Sequence, residues 1–305
     1  MACYSPLPAV RSPEGSISFR AYDARGVRRA GEQLALPCGR CIGCRLERTR
    51  QWAVRLMHES ELHEDSVFLT LTYAPEHMPK GGTLVKEHAQ KFMKRLRARI
   101  APVKVRFFLA GEYGEKLGRP HYHVILFGYG FPDKVVLKSD GEFTLYRSEL
   151  LDNVWGSGNC VIGEVSFESA AYCASYTTKK ITGARAKAHY KGRVPEFALM
   201  SRKPGIGAGW LEKFAGDVYP DDEVIVRGMS SRPPRYYDKF LELSEPDQFE
   251  ELRAKRRQIA GALTEAMVCA DGETRYFSAS DVPERLAVRE KVAQAKLKLK
   301  KRSLD

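Results

Sequence analysis

The sequence predicts an α+β fold in which helices flank a central, largely antiparallel sheet, with a cysteine-containing segment at the N-terminus and a helical extension at the C-terminus. Segments rich in β-branched and aromatic residues are joined by helices and hairpins, without the strict strand–helix alternation of a parallel sheet. Hydrophobic residues make up 43% and aromatic residues 10% of the 305-residue chain, which is enough for a substantial core.

Periodicity and composition predict the order of the elements. Apolar residues spaced by four predict helices, and short runs of β-branched and aromatic residues predict strands. Scattered Pro, Gly and Arg predict irregular structure over residues 1–36, and Gly and Pro predict loops at 111–118 and through most of 184–240. The predicted strands are 67–73, 103–109, 119–127, 143–146 and 160–167, and the predicted helices are 45–63, 85–100, 148–155, 168–181, 247–268 and 283–302.

The chain is expected to have three regions. Residues 1–64 form a cysteine-cluster segment and a helix, and residues 65–240 form the main domain with a loop-rich extension. Residues 241–305 form a basic helical region that contains the run KLKLKKR at 296–302. The core of the main domain is expected within about residues 65–185, where most predicted strands lie.

Charge indicates a class of partner. The chain has 50 Lys and Arg against 38 Asp and Glu, a formal charge of +12. This balance favours a polyanionic partner, most often nucleic acid, although an ordinary basic enzyme is the alternative. There is no run of about 18 apolar residues, so we expect no membrane span. No secretory signal is visible, so we expect a cytoplasmic protein, in which structural disulfides are rare.

Two histidines alternate with a tyrosine in the strand predicted at 119–127. Side chains alternate along a strand, so His121 and His123 point to one face and Tyr122 to the other. Neighbouring imidazoles can bind a metal ion, and a hairpin would bring Glu112 beside them. This donor set suits Mg²⁺ or Mn²⁺ in a phosphoryl-transfer site. The alternative is one packed and one exposed histidine, with Glu112 a solvated loop acid.

Two tyrosines lie four residues apart in the helix predicted at 168–181. Tyr172 and Tyr176 therefore share a face, with Lys179 on the same side. A phenol with a pKa of about 10 is a poor nucleophile at neutral pH. A metal-polarised phosphate and a nearby cation, Lys179 or Lys180, would activate it. One such tyrosine suffices to nick DNA and two allow a second transfer, whereas the alternative is a pair of core aromatics.

Two further groups of residues are candidates for binding. Cys38, Cys41 and Cys44 have metal-ligand spacing, and Cys3 is the natural fourth ligand for a tetrahedral structural Zn²⁺ site. An iron–sulfur cluster and buried free cysteines are the alternatives. The glycine-rich loop at 205–209 follows no clear strand, so we reject a dinucleotide site; with its neighbouring basic residues it can approach a phosphate backbone or form a plain surface loop. The candidate DNA-binding residues are Arg119, Lys180, Arg202 and Lys203.

Together these motifs resemble the HUH endonuclease superfamily of rolling-circle replication initiators. More narrowly, the chain resembles the replication initiators of gokushovirus-type microviruses, which are small phages with single-stranded DNA. The resemblance covers most of the chain, and it implies a central antiparallel sheet with the tyrosine helix facing the histidine strand. It rests on PCGRCIGCR at 37–45, FLTLTY at 68–73, GEYG at 111–114, RPHYH at 119–123 and the tyrosine helix.

The resemblance implies a metal-dependent endonuclease that acts on single-stranded origin DNA. His121 and His123 would bind the divalent metal, with Glu112 as third ligand. One of Tyr172 and Tyr176 would attack an origin phosphate, leaving a 5′-phosphotyrosine link and a free 3′-OH for a host polymerase. The other would act at termination, when a unit-length strand is released and circularised.

The chain departs from related two-tyrosine initiators at one position. Those proteins often carry Lys just before the second tyrosine, where this chain has Ser175, so Lys179 would stabilise the phenolate and the order of the tyrosines stays open. No Gly-x-x-x-x-Gly-Lys-[Ser/Thr] motif is present, so unwinding in the bacterial host cytoplasm would need a host helicase. The remaining interpretations are a relaxase or transposase of the same superfamily and a non-catalytic, zinc-containing protein that binds single-stranded DNA.

Overall fold

The computed structural model describes residues 3–20, 30–114, 117–141, 143–181, 184–261, 264–268, 274–278 and 283–299. The chain divides into two compact units, one of residues 49–240 and the other of residues 1–48 together with 241–305. The three-region organisation given above stays a prediction. The end of the basic run, residues 300–302, lies outside the described residues.

The described elements combine strands and helices throughout the chain. The strands are β1 (Leu7–Arg11), β2 (Ile17–Ser18), β3 (Glu32–Leu36), β4 (Ser66–Thr72), β5 (Arg106–Tyr113), β6 (Pro120–Phe127), β7 (Val135–Ser139), β8 (Thr144–Arg147), β9 (Cys160–Glu164), β10 (Phe197–Met200), β11 (Val224–Val226), β12 (Met229–Ser231), β13 (Thr264–Val268) and β14 (Thr274–Ser278). The α-helices are α1 (Ile42–Ser60), α2 (Lys86–Arg99), α3 (Glu149–Trp155), α4 (Phe167–Lys179), α5 (Ala184–Tyr190), α6 (Ala208–Val218), α7 (Arg235–Ser244), α8 (Pro246–Gly261) and α9 (Pro283–Leu299).

The larger unit is built on one antiparallel sheet. Its strand order is β10-β5-β6-β4-β9-β8-β7, and every neighbouring pair is antiparallel. The central strands are hydrophobic because both faces of the sheet are covered. The predicted α+β class, with a largely antiparallel sheet and flanking helices, is confirmed.

Alternation along β6 gives each face of the sheet its own core. Tyr122 and Val124 belong to one buried cluster, which includes residues of α2 and α3 such as Phe92 and Trp155. The other face of β6 contributes to a second cluster that contains residues of α1 and α4. His121 and His123 lie on this second face by the same alternation. Helix α4 is therefore packed on the face that carries the histidines.

The predicted loop at 111–118 is wrong at its start, because β5 continues through Tyr113. Glu112 pairs with His121 and Tyr113 pairs with Pro120 across the ladder with β6. Gly111 is a strand residue, where a Cβ atom would approach the Leu84 side chain and a neighbouring aromatic ring to 3.2 Å. A glycine that indicates a turn by composition here permits close packing, which only the neighbouring elements reveal.

Three other expectations are corrected by strand pairing between distant residues. Residues 1–36 contain β1, β2 and β3, which pair into a sheet of their own. The supposedly loop-rich 184–240 contains elements from α5 to the start of α7, and its strand β10 pairs with β5. The helix predicted over 247–268 ends at Gly261, and the residues from Thr264 form β13, paired with β14. Short strands gain their stability from partners, which local composition does not specify.

Candidate metal and tyrosine site

Three ionisable side chains converge where β5 lies beside β6. The Nε2 atom of His121 lies 2.6 Å from Oε1 of Glu112 and 3.1 Å from Nε2 of His123. The same Glu112 oxygen lies 3.3 Å from His123 Nε2. Glu112 and His123 are buried, and His121 is partly exposed. This arrangement follows from the ladder register, which places Glu112 directly opposite His121.

The three donor atoms have the spacing that a small divalent cation requires. Adjacent ligands at right angles around Mg²⁺, with bonds of about 2.1 Å, stand about 3.0 Å apart. The three observed separations, from 2.6 to 3.3 Å, bracket that value. Two imidazoles and one carboxylate leave further coordination positions for substrate or water, so the residues fit a Mg²⁺ or Mn²⁺ site.

Hydrogen bonds behind the imidazoles leave their Nε2 lone pairs for a cation. His121 Nδ1 lies 3.2 Å from the carbonyl oxygen of Arg119, which can only accept a hydrogen bond, so this nitrogen carries the proton. His123 Nδ1 lies 3.1 Å from Oγ1 of Thr70, which can accept in the same way. Partners of this kind fix the tautomer and the ring orientation of metal-binding histidines.

The buried carboxylate is stabilised in its charged form. Burial by itself would raise the pKa of Glu112, but hydrogen bonds from His121 and His123 outweigh burial and lower it. Glu112 is therefore an anion at neutral pH, as a cation ligand must be.

Thr70→Val is expected to weaken Mn²⁺ binding by about 10- to 100-fold, because valine cannot accept the hydrogen bond from His123. Isothermal titration with Mn²⁺ measures the change. Thr72→Val is the matched control on the same strand, since the Thr72 hydroxyl donates to the carbonyl of Asn159 at 3.0 Å. Equal Mn²⁺ affinity in Thr70→Val and the unaltered chain would show that Thr70 does not set the tautomer.

The tyrosines are carried by α4, whose start is fixed by reciprocal caps. Ser166 Oγ accepts a hydrogen bond from the Ser169 N–H at 3.2 Å, and Ser169 Oγ accepts one from the Ser166 N–H at 2.8 Å. Small or apolar residues of this helix, including Ala170 and Cys173, lie in the cluster on the histidine face of the sheet. Capping and packing together set which side of α4 meets β6.

Both tyrosine rings contact His123 but in different ways. The Tyr176 ring is nearly parallel to the imidazole, with an interplanar angle of 8° and a centroid distance of 5.4 Å. The Tyr172 ring meets His123 edge-on, at 74° and 5.2 Å. The tyrosines also contact each other at 4.9 Å and 81°, and Phe68 stacks on His123 at 5.3 Å. The candidate metal donors and both candidate nucleophiles thus share one histidine.

The two phenols lie at different depths. Tyr176 is 2% exposed, whereas Tyr172 is half-buried. Burial raises the pKa of Tyr176, and the Glu112 carboxylate and Tyr172 raise it further. Spacing by four in the sequence predicted the shared helix face but not this inequality.

The candidate DNA-binding residues lie on the surface. Arg119, Lys180, Arg202 and Lys203 are all exposed. One nitrogen of Arg119 donates to the carbonyl oxygen of Tyr73 at 2.8 Å, and the residue as a whole stays exposed. The Lys179 side chain lies outside the described residues, so its place relative to the tyrosines stays a prediction.

The glycine-rich loop at 205–209 binds a carboxylate of the chain itself. Gly207, which has a φ of 76°, donates its N–H to Oε2 of Glu59 at 2.7 Å. Glu59 is buried and also forms an ion pair with Arg106. The amide most suited to a phosphate is therefore occupied, and a phosphate contact here depends on the exposed Arg202 and Lys203.

The smaller unit contains a second group of possible metal ligands. The sulfur atoms of Cys3, Cys38, Cys41 and Cys44 all lie within 4.8 Å of one another. Cys38 and Cys44 are 4.0 Å apart and Cys3 and Cys41 are 3.9 Å apart, as sulfur-to-sulfur distances. Backbone N–H groups donate to these sulfurs, for example from Tyr4 to Cys41 at 3.2 Å. Burial by itself would raise the pKa of Cys38, but backbone N–H groups, led by that of Cys41, lower it to about 7.

Sequence reasoning missed the residues that support the site from neighbouring strands. Thr70 and Phe68 lie on β4, and the ladder places Thr70 opposite His123 and Phe68 opposite Ile125. Residues on one strand face show a spacing of two in the sequence, but the partner on an adjacent strand depends on register. The motif FLTLTY contains both residues, so it is the one local signal that pointed to them.

Comparisons with known proteins identify the class of protein. A family model for replication-associated proteins of the ORF2 type matches residues 66–181, which include the candidate metal donors and both tyrosines. The chain is 32% identical over 277 residues to the replication-associated protein VP4 of Bdellovibrio phage phiMH2K, covering 87% of this chain and 85% of that protein. It is 31% identical over 282 residues to the replication-associated protein ORF2 of Spiroplasma virus 4, covering 85% and 87% respectively.

A third relative is more distant. The replication-associated protein ORF4 of Chlamydia phage 1 is 28% identical over 256 residues, which cover 80% of this chain and 62% of that protein. The class is therefore that of phage replication-associated proteins. Within it, the chain belongs to the family of microvirus-type replication initiators, and the resemblance to that family is confirmed. No solved structure matches the chain. None of the helices in the described ranges has the length and apolar character needed to span a membrane.

Proposed function

We propose that this replication initiator is a metal-dependent tyrosine endonuclease and strand transferase that nicks single-stranded DNA at an origin and rejoins it at termination. The observation that supports this most directly is the position of His123. Its Nε2 atom faces Glu112 and His121, and its ring contacts both Tyr172 and Tyr176. A phosphate held at the donor atoms would therefore lie beside a phenol.

The chemistry is a transfer of phosphorus from one oxygen to another. A divalent cation bound by the three donors would withdraw electron density from the scissile phosphate and stabilise the charge that develops in the transition state. The phenol oxygen forms a bond to phosphorus while the bond from phosphorus to the 3′-oxygen breaks. The phenol proton passes through solvent to the leaving oxygen, so the products are a 5′-phosphotyrosine and a free 3′-OH.

The remaining partners follow from these products. A host polymerase would extend the 3′-OH, and a host helicase would unwind the template, since the chain has no phosphate loop for nucleotide hydrolysis. The net charge of +12 and the exposed Arg119 and Lys180 near the histidine strand and the tyrosine helix favour contact with DNA phosphates. Lys179 is proposed to stabilise a phenolate. The proposed place of action is the bacterial host cytoplasm.

We also propose that the four cysteines hold one structural Zn²⁺ ion. Four thiolates at about 2.3 Å from one tetrahedral ion stand about 3.8 Å apart. The observed sulfur separations of 3.9 and 4.0 Å agree with one shared ion. A four-iron cluster holds each cysteine on a different iron atom and would spread the sulfurs further apart. The ion would tie residue 3 and the loop before α1 to the first turn of that helix.

The experiment that tests the endonuclease mixes the purified chain with single-stranded oligonucleotides tiled across the genome that encodes it, in the presence of Mn²⁺. A denaturing gel is expected to resolve a covalent protein–DNA species that disappears with EDTA. The double variant Tyr172→Phe/Tyr176→Phe should form no adduct, and Tyr146→Phe, which alters a partly buried tyrosine on β8, should form it normally.

Two outcomes would point elsewhere. Tight, salt-sensitive DNA binding with no adduct on any oligonucleotide would favour a non-catalytic, zinc-containing protein that binds single-stranded DNA. Adduct formation confined to a site outside the replication origin would favour a relaxase or transposase, which shares the chemistry and differs in its target.

A further inference from the structure

The two tyrosines of α4 differ in their access to solvent. The hydroxyl oxygen of Tyr176 has almost no accessible surface, and the whole residue is 2% exposed. Its ring lies flat over the imidazole of His123, with Tyr172 against it on another side. A phosphodiester cannot reach that oxygen unless one of these aromatic rings moves.

Tyr172 lies one helical turn earlier and is half-buried. Its ring contacts His123 edge-on and Phe68 at 6.4 Å and 69°, so neither of these neighbours covers it face-to-face. A nucleophile must approach phosphorus opposite the leaving oxygen, and this needs open space around the phenol oxygen. A DNA strand that arrives from solvent at the histidines would therefore meet Tyr172 first.

We propose that Tyr172 makes the first cut and that Tyr176 is a second nucleophile that becomes accessible only after Tyr172 has reacted. This inference rests on the proposed endonuclease function and adds an order to it. The order is a property of how deeply each ring is buried, because both tyrosines lie on the same helix and beside the same histidine.

The contact between the rings couples the two steps. The Tyr172 and Tyr176 rings meet nearly at right angles, with centroids 4.9 Å apart. Once Tyr172 is linked to a 5′-phosphate, its ring must follow the DNA, and Tyr176 loses one of the aromatic groups that cover it. The first transfer thereby exposes the nucleophile of the second.

The second transfer balances in the same way as the first. Tyr176 attacks the regenerated origin junction, forms a second 5′-phosphotyrosine and frees the 3′-OH of the displaced strand. That 3′-OH attacks the phosphorus held by Tyr172, the bond from the Tyr172 oxygen to phosphorus breaks, and the phenol regains a proton from solvent. The products are a closed unit-length circle and an enzyme with Tyr176 occupied.

Single-turnover assays on origin-containing single-stranded DNA with Mn²⁺ test this order. Tyr172→Phe is expected to reduce first-adduct formation by at least about 10³-fold, because it removes the attacking oxygen and keeps the ring. Tyr176→Phe is expected to keep first-adduct formation within about threefold of the unaltered chain, because its hydroxyl takes no part in that step. The same variant should fail to release circles from a substrate that carries two origins.

Each outcome decides between the possibilities. Adduct formation that survives in Tyr172→Phe, or that is lost equally in both single variants, would overturn the order. If the unaltered chain forms no adduct at all, the proposed endonuclease is wrong and the order with it.

A second measurement does not depend on activity. Brief nitration of the folded, DNA-free chain, followed by mass spectrometry, should modify Tyr172 well before Tyr176, with unfolded chain as the reference for equal reactivity. Equal nitration of the two residues in the folded chain would contradict the difference in access on which the proposal stands.

Discussion

His121→Ala is expected to slow adduct formation by about 10³-fold or more, while the chain stays folded. A metal ligand at a phosphoryl-transfer site supports several kcal/mol of transition-state stabilisation, and about 4 kcal/mol corresponds to a factor of 10³. The fold should persist because His121 is the partly exposed member of the triad, and buried Glu112 keeps His123 as a partner. Rates in excess Mn²⁺, with circular dichroism to monitor folding, measure the effect.

His77→Ala is the matched control, because His77 is exposed and lies outside the candidate metal group. It should leave both Mn²⁺ affinity and adduct formation unchanged. A His121→Ala chain that forms adducts at the normal rate would show that these three residues do not hold the catalytic ion. In that case the close spacing of Glu112 and the histidines would be a structural feature of the sheet.

Cys44→Ser is expected to remove zinc and to unfold the cysteine-containing part of the smaller unit. Structural zinc sites supply about 10 kcal/mol or more of binding free energy to small domains, which is comparable to the whole stability of many of them. Elemental analysis should find about one zinc ion per unaltered chain and almost none in the variant. Hydrogen exchange should rise sharply in residues 3–20 and 30–48, because the cluster links these distant segments.

Two controls separate this site from the histidine site. Cys160→Ser changes a buried cysteine in the other unit and should keep the zinc. The double variant His121→Ala/His123→Ala should also keep it. Replacement of zinc by Co²⁺ should give the absorption of a tetrahedral thiolate site in the unaltered chain. Zinc-free protein from a preparation without chelator would contradict the proposal, as would an iron content that matches the cysteine site.

The sequence predicted best the elements whose signal is local. Strands β4, β6 and β9 were expected close to their observed positions because each is a dense run of apolar residues. Strands β10 and β13 were missed, since each depends on a partner strand that its own composition does not reveal. The N-terminal sheet was missed for the same reason. Local composition states a preference, and the pairing partner decides whether a short segment becomes a strand.

The candidate site divides in the same way. Alternation placed His121 beside His123, and a hairpin was expected to bring Glu112 to them, as the ladder does. The contribution of Thr70 depends on the register of β4 against β6, which no local pattern encodes. The unequal depths of Tyr172 and Tyr176 depend on how α4 is rotated against the sheet, and this is a property of tertiary packing.

The pairing of Glu112 with His121 also has a consequence for insertions and deletions. Successive side chains of a strand point to opposite faces, so a single residue inserted into β5 between Phe108 and Glu112 would turn the carboxylate toward the wrong side. Such an insertion would equal deletion of the ligand, although every donor residue would still be present in the chain. We therefore expect length changes to be tolerated between β7 and β8, far along the sheet, and not within β5. Transfer of this site to another scaffold would require β4, β5 and β6 as one block.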